Sequence, residues 1–235
     1  MKKLTEKEIV YLFDFTKKHF VEFYDVQVEL VDHLANAIEA EWEINPNISF
    51  EDVLQAEFKK FGIFGFTGLV EQKQNELHKY YNKMLWTEIK TFFSVPKIIL
   101  TITLYFGIYF LLIKTAYFGE TIALTAMVIS YVVFMIDALR YMSKIKKEQK
   151  KKGKSWLIQS VAHSVFSIPT IGFGAIFYPL FNRIFDESLA LSNAGVYFLS
   201  LFLLVHMLFI FIFYDVIKPS LISSIDETEK RYQTI

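Results

Sequence analysis

Plotted at 100° per residue, Glu29, Asp32, His33 and Asn36 share one side of a helical stretch whose other side carries Leu30, Val31, Leu34, Ile38 and Trp42. Carboxylates and an imidazole at i, i+3 and i+4 converge enough to touch one ligand. The chemistry available is therefore a divalent cation or a polar contact with a partner. Four polar residues on one face also make an ordinary amphipathic pattern. A partner contact is thus the expectation, with no metal and no cofactor.

A second set of candidates lies in apolar surroundings. His163 follows Trp156 by seven residues and His206 precedes Asp215 by nine, about 10 and 14 Å along a helix. The two could meet at one depth of a membrane, where ionisable groups are costly and call for a reason. Gln159, with Ser160, Ser164 and Ser167, gives the same segment a polar stripe that should face other helices rather than lipid. Asp137 stands three residues before Arg140, and Asp215 three before Lys218. Both spacings read as interfacial i,i+3 ion pairs rather than a transport path.

Catalytic signatures do not accompany these residues. None of the five His is followed by Glu, and neither a G-x-x-x-x-G-K-[ST] loop nor a G-x-S-x-G elbow occurs. The absence of Cys removes thiol nucleophiles, disulfides and Cys-ligated metals. The expectation is a protein that is not an enzyme.

The elements that must position these side chains divide the 235 residues in two. Residues 1–97 hold 12 basic and 16 acidic side chains, net −4, and the remainder hold 13 and 9, net +4. Beyond Pro96, uncharged runs occupy residues 98–113, 121–136, 155–182 and 188–214. A bilayer crossing needs about 20 mostly apolar residues, so four spans are expected, at about 94–114, 119–139, 156–178 and 190–214. Residues 114–120 and 183–187 would connect them on the outer side.

Residues 140–154 read as a basic cytoplasmic loop. It carries Lys146, Lys147, Lys150, Lys151 and Lys152, which orient the chain by the positive-inside rule and can rest on anionic headgroups. With few aromatics for base stacking, it is not read as a nucleic-acid site. Alternation then places the amino-terminal residues 1–93 and the tail 219–235 in the cytoplasm, N-in and C-in. No signal peptide is read in residues 1–20, which are charged and amphipathic. Trp86 and Trp156 are expected near cytoplasmic interfaces.

In residues 1–93, Thr5 with Glu8 makes a capping box before a helix over 5–20, and a second helix runs over about 24–42. Ser49 with Asp52 opens a third that Gly62 stops, and a fourth starts near Leu69. No strand alternation appears. The fold class is all-α: a small cytoplasmic domain of about four helices followed by four transmembrane helices over 94–218.

Tyr24, then ELVDHL at 29–34, then FEDVLQAEFKKFG at 50–62 form a more specific pattern. Over residues 15–75 the chain resembles the helix-turn-helix-associated α-helical signalling domain of bacteria. Glu29, Leu30, Asp32, His33, Ala56 and Gly62 stand at matching positions. It departs from that pattern after Gly62, where Ile63, Phe64 and Gly65 replace the usual Pro. The resemblance implies a module preceding membrane spans and encoded beside a PadR-type winged-helix regulator. The expected function is therefore a bacterial inner-membrane protein that presents a helical module for signalling or regulator docking, with lipids and a winged-helix transcription regulator as partners. Self-association is left open. The alternative is a small transporter or channel component using His163 and His206.

Overall fold

The computed structural model describes residues 2–167, 172, 175 and 193–233, without the side chains of residues 116, 117, 194 and 233. The described chain is helical, with one isolated bridge between Phe23 and Ser155. It separates into two compact units. One comprises Met1–His78, Lys147–Val161 and Ser224–Ile235, the other Lys79–Lys146 and Ala162–Ser223.

The first unit begins with α1 (Glu6–Lys18), where Thr5 Oγ1 accepts from the Glu8 N–H at 3.3 Å and the Glu8 carboxylate accepts from the Thr5 N–H at 2.7 Å. This capping box satisfies two amide groups that the helix itself cannot. Helix α2 (Tyr24–Ile44) presents Leu30, Leu34, Ile38 and Trp42 to a core shared with Leu12, Phe15 and Leu54. Helix α3 (Phe50–Lys59) is capped by Ser49, whose hydroxyl accepts from the Asp52 N–H at 3.1 Å. Gly62 supplies the left-handed residue after it, at φ +76°. Helix α4 (Phe66–Thr91) starts three residues before the expected Leu69 and runs without a break toward the first span.

Helix α5 (Lys97–Lys152) carries a helical backbone through 56 residues, yet it is not one straight rod. Phe92, just before it, packs edge-on to Phe211 at 6.0 Å, and Phe134, within it, packs on Phe213 at 4.9 Å. Those partners are two residues apart, whereas the 42 residues from Phe92 to Phe134 would span about 60 Å as a straight helix. The chain therefore reverses between them. A Cβ on Gly119 would lie 1.8 Å from Thr115 Oγ1 and 3.6 Å from Leu112 Cα. A straight helix separates positions seven apart by about 10 Å. The short connection expected at 114–120 is a tight, helical reversal, with Gly119 at its close approach to Thr115 and Leu112.

One expectation changes here. The basic stretch 140–154 is not a loop, because α5 stays helical to Lys152 and ends at Gly153, φ +64°. Lys, Gln, Glu and Met are good helix formers, and buried Ile145 gives the stretch an apolar contact. The described part of the tail, to residue 233, is helix. After α6 (residues 157–167 as described) comes α7 (Asn193–Ile212), a π-helical turn at Phe213–Ile217, and α8 (Lys218–Gln233). Three segments are long and apolar enough to cross a membrane: Lys97–Thr115, Phe118–Lys152 and Gly195–Tyr232. The remaining expected span, 156–178, lies partly outside the described residues.

Trp42 is 2% exposed and its Nε1 donates to the Ile48 carbonyl at 3.1 Å, whereas Trp86 is 61% exposed. Trp42→Ala should therefore cost about 3–5 kcal/mol and Trp86→Ala within about 0.5 kcal/mol. Denaturant unfolding of the two variants, followed by circular dichroism, checks this. Equal losses would contradict the core assignment.

Candidate functional site

The residues with the densest polar contacts in the first unit gather where residues 152–157 cross the start of α2. Gly153 ends α5, and the chain lies extended against the residues before α2. The Tyr24 N–H donates to the Ser155 carbonyl at 2.8 Å, and Ser155 Oγ donates to the Glu22 carbonyl at 2.9 Å. Helix α6 then begins, and its Leu157 N–H donates to both oxygens of Asp25, at 3.1 and 3.3 Å. Asp25 belongs to the first turn of α2. A carboxylate from one helix thus satisfies the open amino end of another. Leu157 itself enters the core of the unit.

Trp156 is almost fully buried here. Its ring packs edge-on to Tyr24 at 5.7 Å and stacks on Tyr232 of α8 at 5.9 Å. Its Nε1 donates to Glu229 Oε1 at 3.2 Å, and the other oxygen of Glu229 holds Lys152 Nζ at 2.6 Å. Lys154 Nζ sits 3.6 Å above the Tyr24 ring. The expectation that Trp156 marks a lipid interface is therefore corrected. An indole between two phenol rings, with its N–H on a carboxylate, has its needs met inside the folded unit.

The expected partner face on α2 is divided by this arrangement. Glu29 is engaged, accepting from Lys73 of α4 and from the Tyr232 hydroxyl, the latter at 3.4 Å. Asp32, His33 and Asn36 are exposed, and the His33 ring stands edge-on to Phe61 at 6.1 Å. Among the described residues neither Asp32 nor Asn36 makes a side-chain hydrogen bond, and no cluster of three or more His, Asp and Glu could hold a metal.

The expected intramembrane residues also separate. Gln159 lies in the first unit, where its Oε1 accepts from Gln149 Nε2 at 2.9 Å and from the Trp156 N–H at 3.1 Å. It thus pairs with the basic stretch and not with another span. Neighbouring Ser160 accepts from Gln74 of α4 at 3.1 Å. His163 is exposed on α6, and His206 is buried with Nε2 3.1 Å from Ser130 Oγ. No hydrogen bond joins the two histidines.

The expected pairs Asp137–Arg140 and Asp215–Lys218 are replaced by one contact between helices. Asp137 Oδ2 accepts from Lys218 Nζ at 2.7 Å and from the Tyr214 hydroxyl at 3.1 Å. Asp215 is exposed within the π turn Phe213–Ile217. That turn contains one residue more than an α-turn, which takes Lys218 off the Asp215 face and toward Asp137. Lys146, Lys147, Lys150 and Lys151 remain exposed along α5, and Lys152 is drawn to Glu229.

Asp25, Lys73, Glu229 and Tyr232 were not legible as a group. Asp25 in the first turn of α2 reads as a partner for its own helix, and nothing local marks it as the cap of a helix about 130 residues later.

The half-buried Asp25 carboxyl is pushed above the usual carboxylate range, chiefly by burial, against the opposing pull of the Leu157 and Val26 amides. A carboxyl whose folded value is raised binds its proton more readily in the folded state. Stability from this group therefore rises as pH falls from its folded value toward its unfolded one. Asp25→Asn keeps an acceptor for Leu157 without the charge. Its advantage over the wild type should be larger at pH 7 than at pH 4, while Asp25→Ala, which lacks the cap, should stay about 1 kcal/mol below Asp25→Asn at either pH. Thermal unfolding of the full chain in micelles at both pH values tests this, and a wild-type-to-Asn gap that does not change with pH would refute it.

No family model matches the chain, and neither the curated proteins nor the solved structures contain a match.

Proposed function

We propose that this chain is a multi-pass protein of the bacterial inner membrane, N-in and C-in, that carries no catalysis and presents its first compact unit to a cytoplasmic regulator. The observation that carries the reading is the make-up of that unit. The amino-terminal helices are completed by the end of α5, the start of α6 and the end of α8, so helices apolar enough to cross a membrane continue into the same fold that displays α2. The exposed Asp32, His33 and Asn36 provide a polar docking face, and the resemblance over residues 15–75 points to a winged-helix partner. The lysines of residues 146–151 support the orientation, each worth about 1 kcal/mol near an anionic leaflet.

The transporter reading has less support. It needs intramembrane groups that act together, whereas His206 faces Ser130 and His163 is exposed.

Orientation is tested by reporter fusions. One joined after Glu148 should be active only in the cytoplasm and one after Glu187 only outside, and the reverse would overturn the topology. Docking is tested by co-expression with a winged-helix regulator encoded beside the chain. Asp32→Ala, His33→Ala and Asn36→Ala together should abolish co-purification while shifting stability by only about 0.5 kcal/mol per site. Glu29 is left intact because it holds Lys73 and Tyr232. Loss of activity in His163→Ala and His206→Ala, with the α2 triple variant unaffected, would favour transport.

A further inference from the structure

The last turns of α8 have little that would keep them helical by themselves. Residues 224–233 read SIDETEKRYQ, in which Ile225 and Tyr232 are the apolar side chains, while Ser224, Asp226 and Thr228 are poor helix formers. A helix end of this make-up frays in water unless it has a surface to pack on. Its buried positions, Ile225 and Tyr232, lie on one side with the partly buried Glu229 between them, and Asp226 and Arg231 are exposed. What this side rests on therefore decides whether the end of α8 stays folded.

Glu229 and Tyr232 meet one ring and two charged side chains. The Tyr232 ring stacks on Trp156 at 5.9 Å, and its hydroxyl donates to Glu29 at 3.4 Å, the long end of the hydrogen-bond range. Glu229 accepts from Trp156 Nε1 at 3.2 Å and holds Lys152 at 2.6 Å. The Lys152 side chain is 37% exposed, so water and salt reach that pair and its net contribution is small. Among the described residues, the buried apolar core of this unit runs from Leu12 to Val70 and adds Leu157, with no member from α8. The two helices that return to the unit thus differ: α6 is anchored through the core by Leu157, and the end of α8 by contacts outside it.

Removing this end would orphan few groups. Glu29 has a second partner in Lys73 of α4, so it keeps a counter-charge without Tyr232. Trp156 retains Tyr24 edge-on at 5.7 Å and its own N–H on Gln159 Oε1 at 3.1 Å. Its indole N–H and Lys152 Nζ are both groups that water can satisfy. Segments with few contacts to the apolar core are the ones that open locally while the rest of a fold stays closed.

We propose that residues 224–233 form a releasable strap across Trp156 and Glu29. Closed, the strap covers the indole and takes up the Glu29 carboxylate. Open, it leaves as an unfolded segment, while α1 to α4 and the start of α6 keep their packing. Opening uncovers one face of the indole together with Glu29, which lies one turn from Asp32 and His33 on α2. The strap is a property of this unit, and its test does not depend on any partner binding there.

Hydrogen exchange followed by mass spectrometry, on the full chain in lipid nanodiscs, tests this. Amides of residues 226–233 should exchange through an opening about a hundredfold more frequent than that of residues 30–42 in α2. Glu229→Gln keeps an acceptor for the indole but loses the charge, and should speed exchange of residues 226–233 about tenfold. Lys152→Gln should do the same from the other side of the ion pair, and Tyr232→Leu by removing the stack and the bond to Glu29. Exchange in α2 should not move in any of the three, which also shows that the variants remain folded. Trypsin cleavage after Lys230 and Arg231 should rise in parallel, because cleavage follows the open population. A change in residues 226–233 that α2 shares in step would make the end of α8 an integral part of the fold and overturn the proposal. Unchanged exchange in all three variants, or a wild-type segment without protection, would overturn it equally.

Discussion

The contact on which the first unit depends is the acceptance of the Leu157 amide by Asp25. A helix start buried without a partner leaves open N–H groups, each costing on the order of 1–3 kcal/mol. Asp25 removes that cost for α6 and, with the Tyr24–Ser155 hydrogen bond, fixes where the chain re-enters the unit after α5. Trp156 is then delivered between Tyr24 and Tyr232, and α8 is drawn in through Glu229. Burying the carboxylate is itself unfavourable, as the raised protonation range of Asp25 shows. The arrangement holds because the amides it satisfies and the aromatic packing it permits outweigh that loss.

A different constraint governs the second unit, where hydrocarbon would leave any unpaired polar group unsatisfied. The hydroxyls in its apolar helices mostly turn back on their own backbone. Thr103 donates to the Ile99 carbonyl, Thr115 to Leu111 and Ser200 to Val196, each four residues earlier. Polar contacts between its helices include Ser130 with His206, and Asp137 with Lys218 and Tyr214. The second coincides with the π turn, whose extra residue precedes Lys218 and its contact with Asp137.

The local rules were readable from the chain. Thr5 with Glu8, Ser49 with Asp52, and Trp42 on the apolar stripe all behave as their spacing implies, because each depends on residues within a turn or two of one another. Legibility stopped where sequence distance grew. Nothing near Glu229 or Tyr232 announces that they close over Trp156, and a charged tail reads as solvent-facing until the surface it packs against is known. The basic stretch misled for a related reason: its lysines signal orientation, whereas its helix is sustained by Ile145 and by continuity with the span before it. In the candidate face, the periodicity placed the four side chains on one side of α2 but could not separate Glu29, taken by Lys73, from the exposed Asp32, His33 and Asn36.

The unit cannot be described as a domain followed by an anchor, and this bears on what its surfaces can transmit. Core residues come from both ends of the chain and from its middle, with Leu157 packed among α1, α2 and α3. A partner that binds α2 therefore binds a fold in which α6 and α8 are components, and any difference in its affinity between two placements of those helices biases them by the same free energy. Couplings of this kind are typically about 1–3 kcal/mol, comparable to one charge-assisted hydrogen bond. The contacts among Lys152, Glu229, Trp156 and Asp25 are of that order. They hold the end of α5, the start of α6 and the end of α8 within the first unit.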